Sequence, residues 1–125
     1  MQSLLGHNTR KPDIIFSASG RIDISARVAR FLGLQRGDVL DVAVDSGEYY
    51  LYVSHRAPTV GRFEAVVYPT NQKGRHFRAA SKRLCAAILR ACGTTGKARL
   101  GIGTPVTRNA DVLLPIITRN LLPAL

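Results

Sequence analysis

Eighteen lysines and arginines stand against eight aspartates and glutamates in this chain, and the chemistry they offer is the capture of phosphate. A formal net charge of +10 on 125 residues is more than keeping a protein dissolved requires, since mixed charge serves that purpose as well. The excess is uneven. Residues 1–60 carry seven basic and six acidic side chains, residues 61–125 carry eleven and two, and residues 65–110 hold no carboxylate. Cations massed in this way attract a polyanion at long range and release its counterions on contact. The residues expected to touch nucleic acid are therefore Lys73, Arg75, Arg78, Lys82, Arg83 and Arg90. Arg83 and Arg90, seven apart on one helix, share a face.

Other chemistries find no constellation. His7, His55 and His76 fall in a tail, a strand end and a basic turn, without the spacing of a triad or a metal site. Cys85 and Cys92, seven apart on one helix, read as core residues of a reducing cytosol rather than as a disulfide pair or metal ligands. Gly93-Thr-Thr-Gly-Lys97 has the end of a phosphate loop but follows a helix, with Ala91 at the first glycine and Ala98 at the magnesium-holding hydroxyl. The same Gly93-x-x-Gly96 has the spacing of a KH clamp but precedes a strand. Both glycines are explained as a helix stop and a turn. With neither a nucleophile and base nor paired carboxylates, an enzyme is the least expected class, and neither cofactor nor metal is expected.

The elements that would position the basic residues form two passes through one order. In the first, a strand at 13–16 and a turn at 17–20 lead to a strand at 21–24, where Ile22 and Ile24 share a face. Ser25 caps a short helix at 26–32 that Gly33 stops, with Val28, Phe31 and Leu32 turned to the core and Arg27 and Arg30 away from it. Strands at 39–44 and 49–53 make a hairpin about Asp45-Ser-Gly47. After a connector at 56–61 come a strand at 63–68, a turn at 69–74 and a strand at 75–78. Ser81 then caps a helix at 82–92, followed by strands at 98–102 and 112–118 around a wide turn at 104–111. The pairs Gly20-Arg21 and Gly74-Arg75 occupy matching steps. Residues 1–11 and the last few read as tails. Ile22, Ile24, Val28, Leu32, Leu40, Val42, Val44, Leu84, Ile88, Leu100, Ile102, Leu114 and Ile116 form the expected core.

At 125 residues and 46% hydrophobic, the chain is long and apolar enough to bury a core without staples. Its apolar runs at 112–117 and 121–125 are far short of the roughly 20 residues that span a bilayer. With no basic-then-apolar leader, a cytoplasmic protein is expected, with no membrane partner.

Residues 20–53 carry a more specific pattern: Gly20-Arg-Ile-Asp-Ile-Ser25, Val28-Ala-Arg-Phe-Leu-Gly-Leu34, Gly37-Asp-Val-Leu-Asp-Val-Ala-Val44, then a hairpin with an acidic turn. This resembles the AbrB/MazE-type swapped-hairpin DNA-binding domain, and residues 62–118 resemble a degenerate second copy. The resemblance implies a mainly β fold with short helices. Two tandem strand–helix–hairpin units, 12–55 and 62–118, would close one swapped-hairpin, cradle-loop type β-barrel as a pseudo-dimer. It also implies a transcriptional regulator that binds duplex DNA, with Arg21 and Arg30 at the family's contact positions. Ala29 replaces an adjacent family arginine, Ser25 replaces a proline, and Asp23 adds an acid to a strand usually apolar or neutral. A monomeric pseudo-dimer or a homodimer would satisfy the pattern. The alternative is a non-enzymatic module that binds an acidic protein or assembles with copies of itself. A single-stranded partner is less favoured, because Tyr49, Tyr50 and Tyr52 lie in the less basic half.

Overall fold

A computed structural model describes residues 11–54, 64–119, 121 and 122. The expected connector at 56–61, residues 1–10 of the expected tail, His7 and His55 lie outside the described residues. The apolar run Ile14-Ile15-Phe16 of β1 (Ile14–Ser17) and the alternating β2 (Arg21–Ile24) form an antiparallel pair. Helix α1 (Ala26–Leu32) starts where the Ser25 hydroxyl accepts the Val28 N–H at 3.3 Å, and it stops at Gly33 in the left-handed region. Strands β3 (Val39–Asp45) and β4 (Glu48–Ser54) meet at Ser46-Gly47, whose φ angles of 52° and 81° make the primed turn that suits strand twist.

The second pass runs through β5 (Ala65–Val66), β6 (Tyr68–Pro69), β7 (Phe77–Ala80), α2 (Lys82–Cys92), β8 (Lys97–Leu100), β9 (Val106–Arg108) and β10 (Asp111–Ile116). Ser81 caps α2 by accepting the Leu84 N–H at 3.2 Å, and Gly93 closes it in the left-handed region. Three expected elements differ. The strand at 63–68 is broken at Val67, because β5 pairs with β3 while β6 pairs with β7. The strand expected at 75–78 begins at Phe77, since Asn71 Oδ1 takes the Gly74 N–H and Thr70 N–H bonds the His76 carbonyl, holding a loop. The wide turn at 104–111 contains β9 and a two-residue turn, Asn109-Ala110, again with both φ angles positive.

Two five-stranded antiparallel sheets result, in the orders β6-β7-β2-β1-β8 and β5-β3-β4-β10-β9. Each sheet takes strands from both passes. They are joined where the chain crosses from β5 to β6, and where Ile102 bridges Ile116 beyond β8. The expected closed barrel is not formed. β5 and β6 are only two residues each, and a single bridge links β8 to β10, so the hydrogen-bond ladders stop at edges. At the middle of the second sheet Leu51 pairs with Leu114, and each is the fourth residue after its hairpin turn.

The core lies between the sheets and under the helices. Ile14, Phe16, Ile22, Ile24, Leu40, Leu51, Leu100, Ile102, Leu114 and Ile116 are buried there, with Val28 from α1 and Cys85, Ile88 and Leu89 from α2. Leu32, Val42 and Leu84 are only partly buried, packing against its rim. Val44 is 60% exposed, contrary to expectation, because β3 runs out past the core towards its turn. Phe31 is exposed as well, with the Arg27 guanidinium 5.7 Å above its ring. Among the described residues, no helix is long and apolar enough to cross a membrane.

Candidate nucleic-acid interface

Strand alternation decides which cations reach the surface of the first sheet. Because Ile14, Phe16, Ile22, Ile24, Ala98 and Leu100 point into the core, their alternate neighbours Ile15, Arg21, Asp23, Lys97 and Arg99 face outwards, whereas Ser17 at the end of β1 is buried. The register aligns Tyr68, Arg78, Asp23, Ile15 and Arg99 in one row across all five strands. One pleat along lie Arg21, on β2, and Lys97, on β8 opposite Ser17. Four cations and one carboxylate thus share this face.

That carboxylate holds two of the cations. Arg21 Nε donates to Asp23 Oδ2 at 2.9 Å and Oδ1 at 3.1 Å, and Arg78 Nε donates to Oδ1 at 3.0 Å. All three side chains stay in contact with water, at 54% exposure for Arg21, 34% for Arg78 and 28% for Asp23. Exposed ion pairs are worth little for stability, about 0–1 kcal/mol. Their arrangement matters for what they present. Beside them a surface concavity of about 420 Å³ is lined by Lys11, Asp13, Asp23, Thr70, His76 and Arg78, among others; Asp13 is buried, accepts the Ile102 N–H at 3.2 Å and lies 3.5 Å from the Arg27 guanidinium.

The remaining expected residues are spread around this face. Lys82 abuts the β1–β2 turn, where the Ser81 N–H bonds the Gly20 carbonyl at 2.8 Å, so it joins Arg21 at one end of the sheet. Arg83 and Arg90 are exposed on α2, with Arg90 in the last turn, where the helix dipole favours a cation. Lys73 and Arg75 sit in the loop before β7, at the opposite end of the β2–β7 ladder from Lys82. Arg75 therefore does not take the place of Arg21, which opens its strand. Arg30 is exposed on α1, a helix packed against β10 of the other sheet, and is not brought to this face. Lys97 and Arg99 are the residues that sequence reasoning missed. Their alternation with Ala98 and Leu100 was a usable signal, but only the pairing of β8 with β1 brings them beside the others.

Acidic groups gather on the second sheet. Asp41, Asp45, Glu48 and Asp111 lie on β3, β4 and β10, and Asp38 just precedes β3. Tyr52 donates its hydroxyl to Asp41 Oδ2 at 3.2 Å, and Arg108 lies 4.0 Å from Asp45. Within the strands themselves the first sheet is rich in cations and the second in carboxylates, with Arg108 the one cation on the second.

No protein-family model, curated protein or solved structure matches this chain. The likeness to the AbrB/MazE-type domain rests on residues 20–53 themselves. Among the described residues no three His, Cys, Asp or Glu side chains gather as a metal site. Cys85 and Cys92 are free thiols, and burial pushes both above their ordinary value, offset at Cys85 by a hydrogen bond with the backbone at Ser17.

Proposed function

We propose that this chain binds duplex DNA through the outer face of its first sheet, as a transcriptional regulator of AbrB-like type. The observation that carries the reading is the placement of Arg21, Arg78, Lys97 and Arg99 on one exposed face with a single strand carboxylate, Asp23, with Lys82 of α2 at one end and the loop of Lys73 and Arg75 at the other. Phosphates would be neutralised by these cations and by Lys82, while Lys73 and Arg75 extend the track at the far end. The acidic second sheet would face away from the nucleic acid. On this reading the two passes are a pseudo-dimer of swapped-hairpin units. Support comes from the matched serine caps and left-handed glycines, the two primed turns, and the pairing of Leu51 with its counterpart Leu114. The barrel of that class would here be an opened variant.

A salt-titrated binding assay on random duplex DNA, single-stranded DNA and an acidic polypeptide tests the proposal. Preference for the duplex with a steep negative salt slope is the expected result, and Arg78→Ala or Lys97→Ala should each lower that slope by about one. Preference for the acidic polypeptide would instead establish a protein-interaction module. Equal retention of all three would reduce the charge to a nonspecific cationic surface.

A further inference from the structure

Asp23 is the one acid within the strands of the basic sheet, and its position is peculiar for a mere counter-charge. It lies on β2, directly across from Arg78 on β7, where the two passes meet in the first sheet. One carboxylate there bonds an arginine from each pass, and in both cases the bond is made by Nε. An arginine has five N–H donors in a planar fork, so Nε bonding leaves both Nη groups of each guanidinium outside these contacts. The carboxylate also removes rotamer freedom that each long side chain would otherwise lose on binding. Two guanidinium groups hinged on one acid, still exposed, beside an open concavity, have the makings of a preformed anion fork.

We propose that Arg21, Asp23 and Arg78 form a single phosphodiester clamp, in which the two arginines bind the backbone oxygens and Asp23 is the positioning residue. The clamp rests on the nucleic-acid reading given above and names the group that the central part of the face would take. It makes an expectation opposite in sign to simple electrostatics. Deleting a negative charge from a basic surface should strengthen polyanion binding if that charge only cancels a neighbour. If the charge aligns two donors, deletion should weaken binding despite the gain of one positive charge.

The full-length chain and its Asp23→Ala and Asp23→Asn variants are to be titrated with random duplex DNA and with poly(dA·dT), with folding checked by circular dichroism. In parallel, arginine Nε–H signals are followed by NMR as inorganic phosphate is added. The clamp predicts that D23A binds duplex about 3- to 10-fold more weakly than the parent, while D23N, which keeps one acceptor oxygen, loses less. It also predicts that phosphate shifts the Nε–H signals of both Arg21 and Arg78 together in the parent, and that D23A abolishes this joint response. Tighter duplex binding by D23A, or phosphate shifts unchanged by its loss, would overturn the clamp and leave Asp23 a counter-charge. Parent binding that fails on poly(dA·dT) would also overturn it, by assigning the arginines to guanine edges rather than phosphates. Should the parent bind no duplex at all, the DNA reading falls, and the phosphate titration still decides the clamp. If D23A does not fold, D23N decides it by the same signals, and Arg78→Lys by whether the Arg21 Nε–H response to phosphate is lost.

Discussion

Single residues carry sharp consequences where the backbone leaves them no freedom. Gly20 sits at φ +98°, and a Cβ there would come within 2.8 Å of Lys82 Cγ and 3.1 Å of its backbone nitrogen. Gly33 has a left-handed φ of +62° but open space around it. Gly20→Ala should therefore lose about 2–4 kcal/mol, from strain plus overpacking, against about 1 kcal/mol for Gly33→Ala. Equal denaturation midpoints for the two variants would show that the close approach of Lys82 costs nothing. The buried thiol of Cys85 gives a pH signature. Its folded pKa is raised above the ordinary 9.0, chiefly by desolvation, so folding favours the protonated form. The stability this group contributes is whole below pH 9 and is lost as pH climbs through the raised value. Cys85→Ala should flatten the fall in stability between pH 8.5 and 10, whatever constant offset its cavity adds. Identical slopes for variant and parent would remove the thiol from the alkaline transition.

The helices show how much of an element is decided by its ends. Both α1 and α2 have the bounds expected from sequence, because Ser25 and Ser81 cap them and Gly33 and Gly93 terminate them, all local signals. Ser25→Ala and Ser81→Ala should each cost about 0.5–2 kcal/mol in chemical denaturation. The core assignments supply a larger effect. Leu40→Ala and Ile88→Ala, at sites 2% and 1% exposed, should each cost about 2–5 kcal/mol, and Val44→Thr less than about 0.5. Strands were less legible than helices, for a physical reason. An alternating pattern marks a strand and its faces but not its partners, and partners set where it ends. Phe77 opens β7 because Ile24 is there to pair with it, and Val67 divides β5 from β6 because the chain changes sheets. Val44 has the apolar alternation of a core residue, and only the overhang of β3 exposes it.

The charge of the molecule was visible in composition, but its geometry was not. Sequence placed the basic face in the second half, whereas the structure assembles its centre from Arg21, Arg78, Lys97 and Arg99 across strands of both passes. Long-range pairing of this kind has no local signal. It also forbids either pass from holding a complete sheet, so thermal unfolding should be one transition. Tyrosine fluorescence, reporting mainly Tyr49, Tyr50 and Tyr52 on β4, and far-ultraviolet circular dichroism should give coincident curves. Separate midpoints would mean that the passes unfold independently. The same interleaving bears on birth of the chain at the ribosome. When β4 has emerged, β2 lacks its neighbour β7 and β4 lacks β10, and roughly sixty further residues must be made before both arrive. At about 5–20 residues per second, the nascent first half waits some 3–12 seconds with open strand edges, four at the outset, since β1 also lacks β8 and β3 lacks β5. During that interval the strands that later complete the fold of one polypeptide are free to recruit a neighbour on the same message.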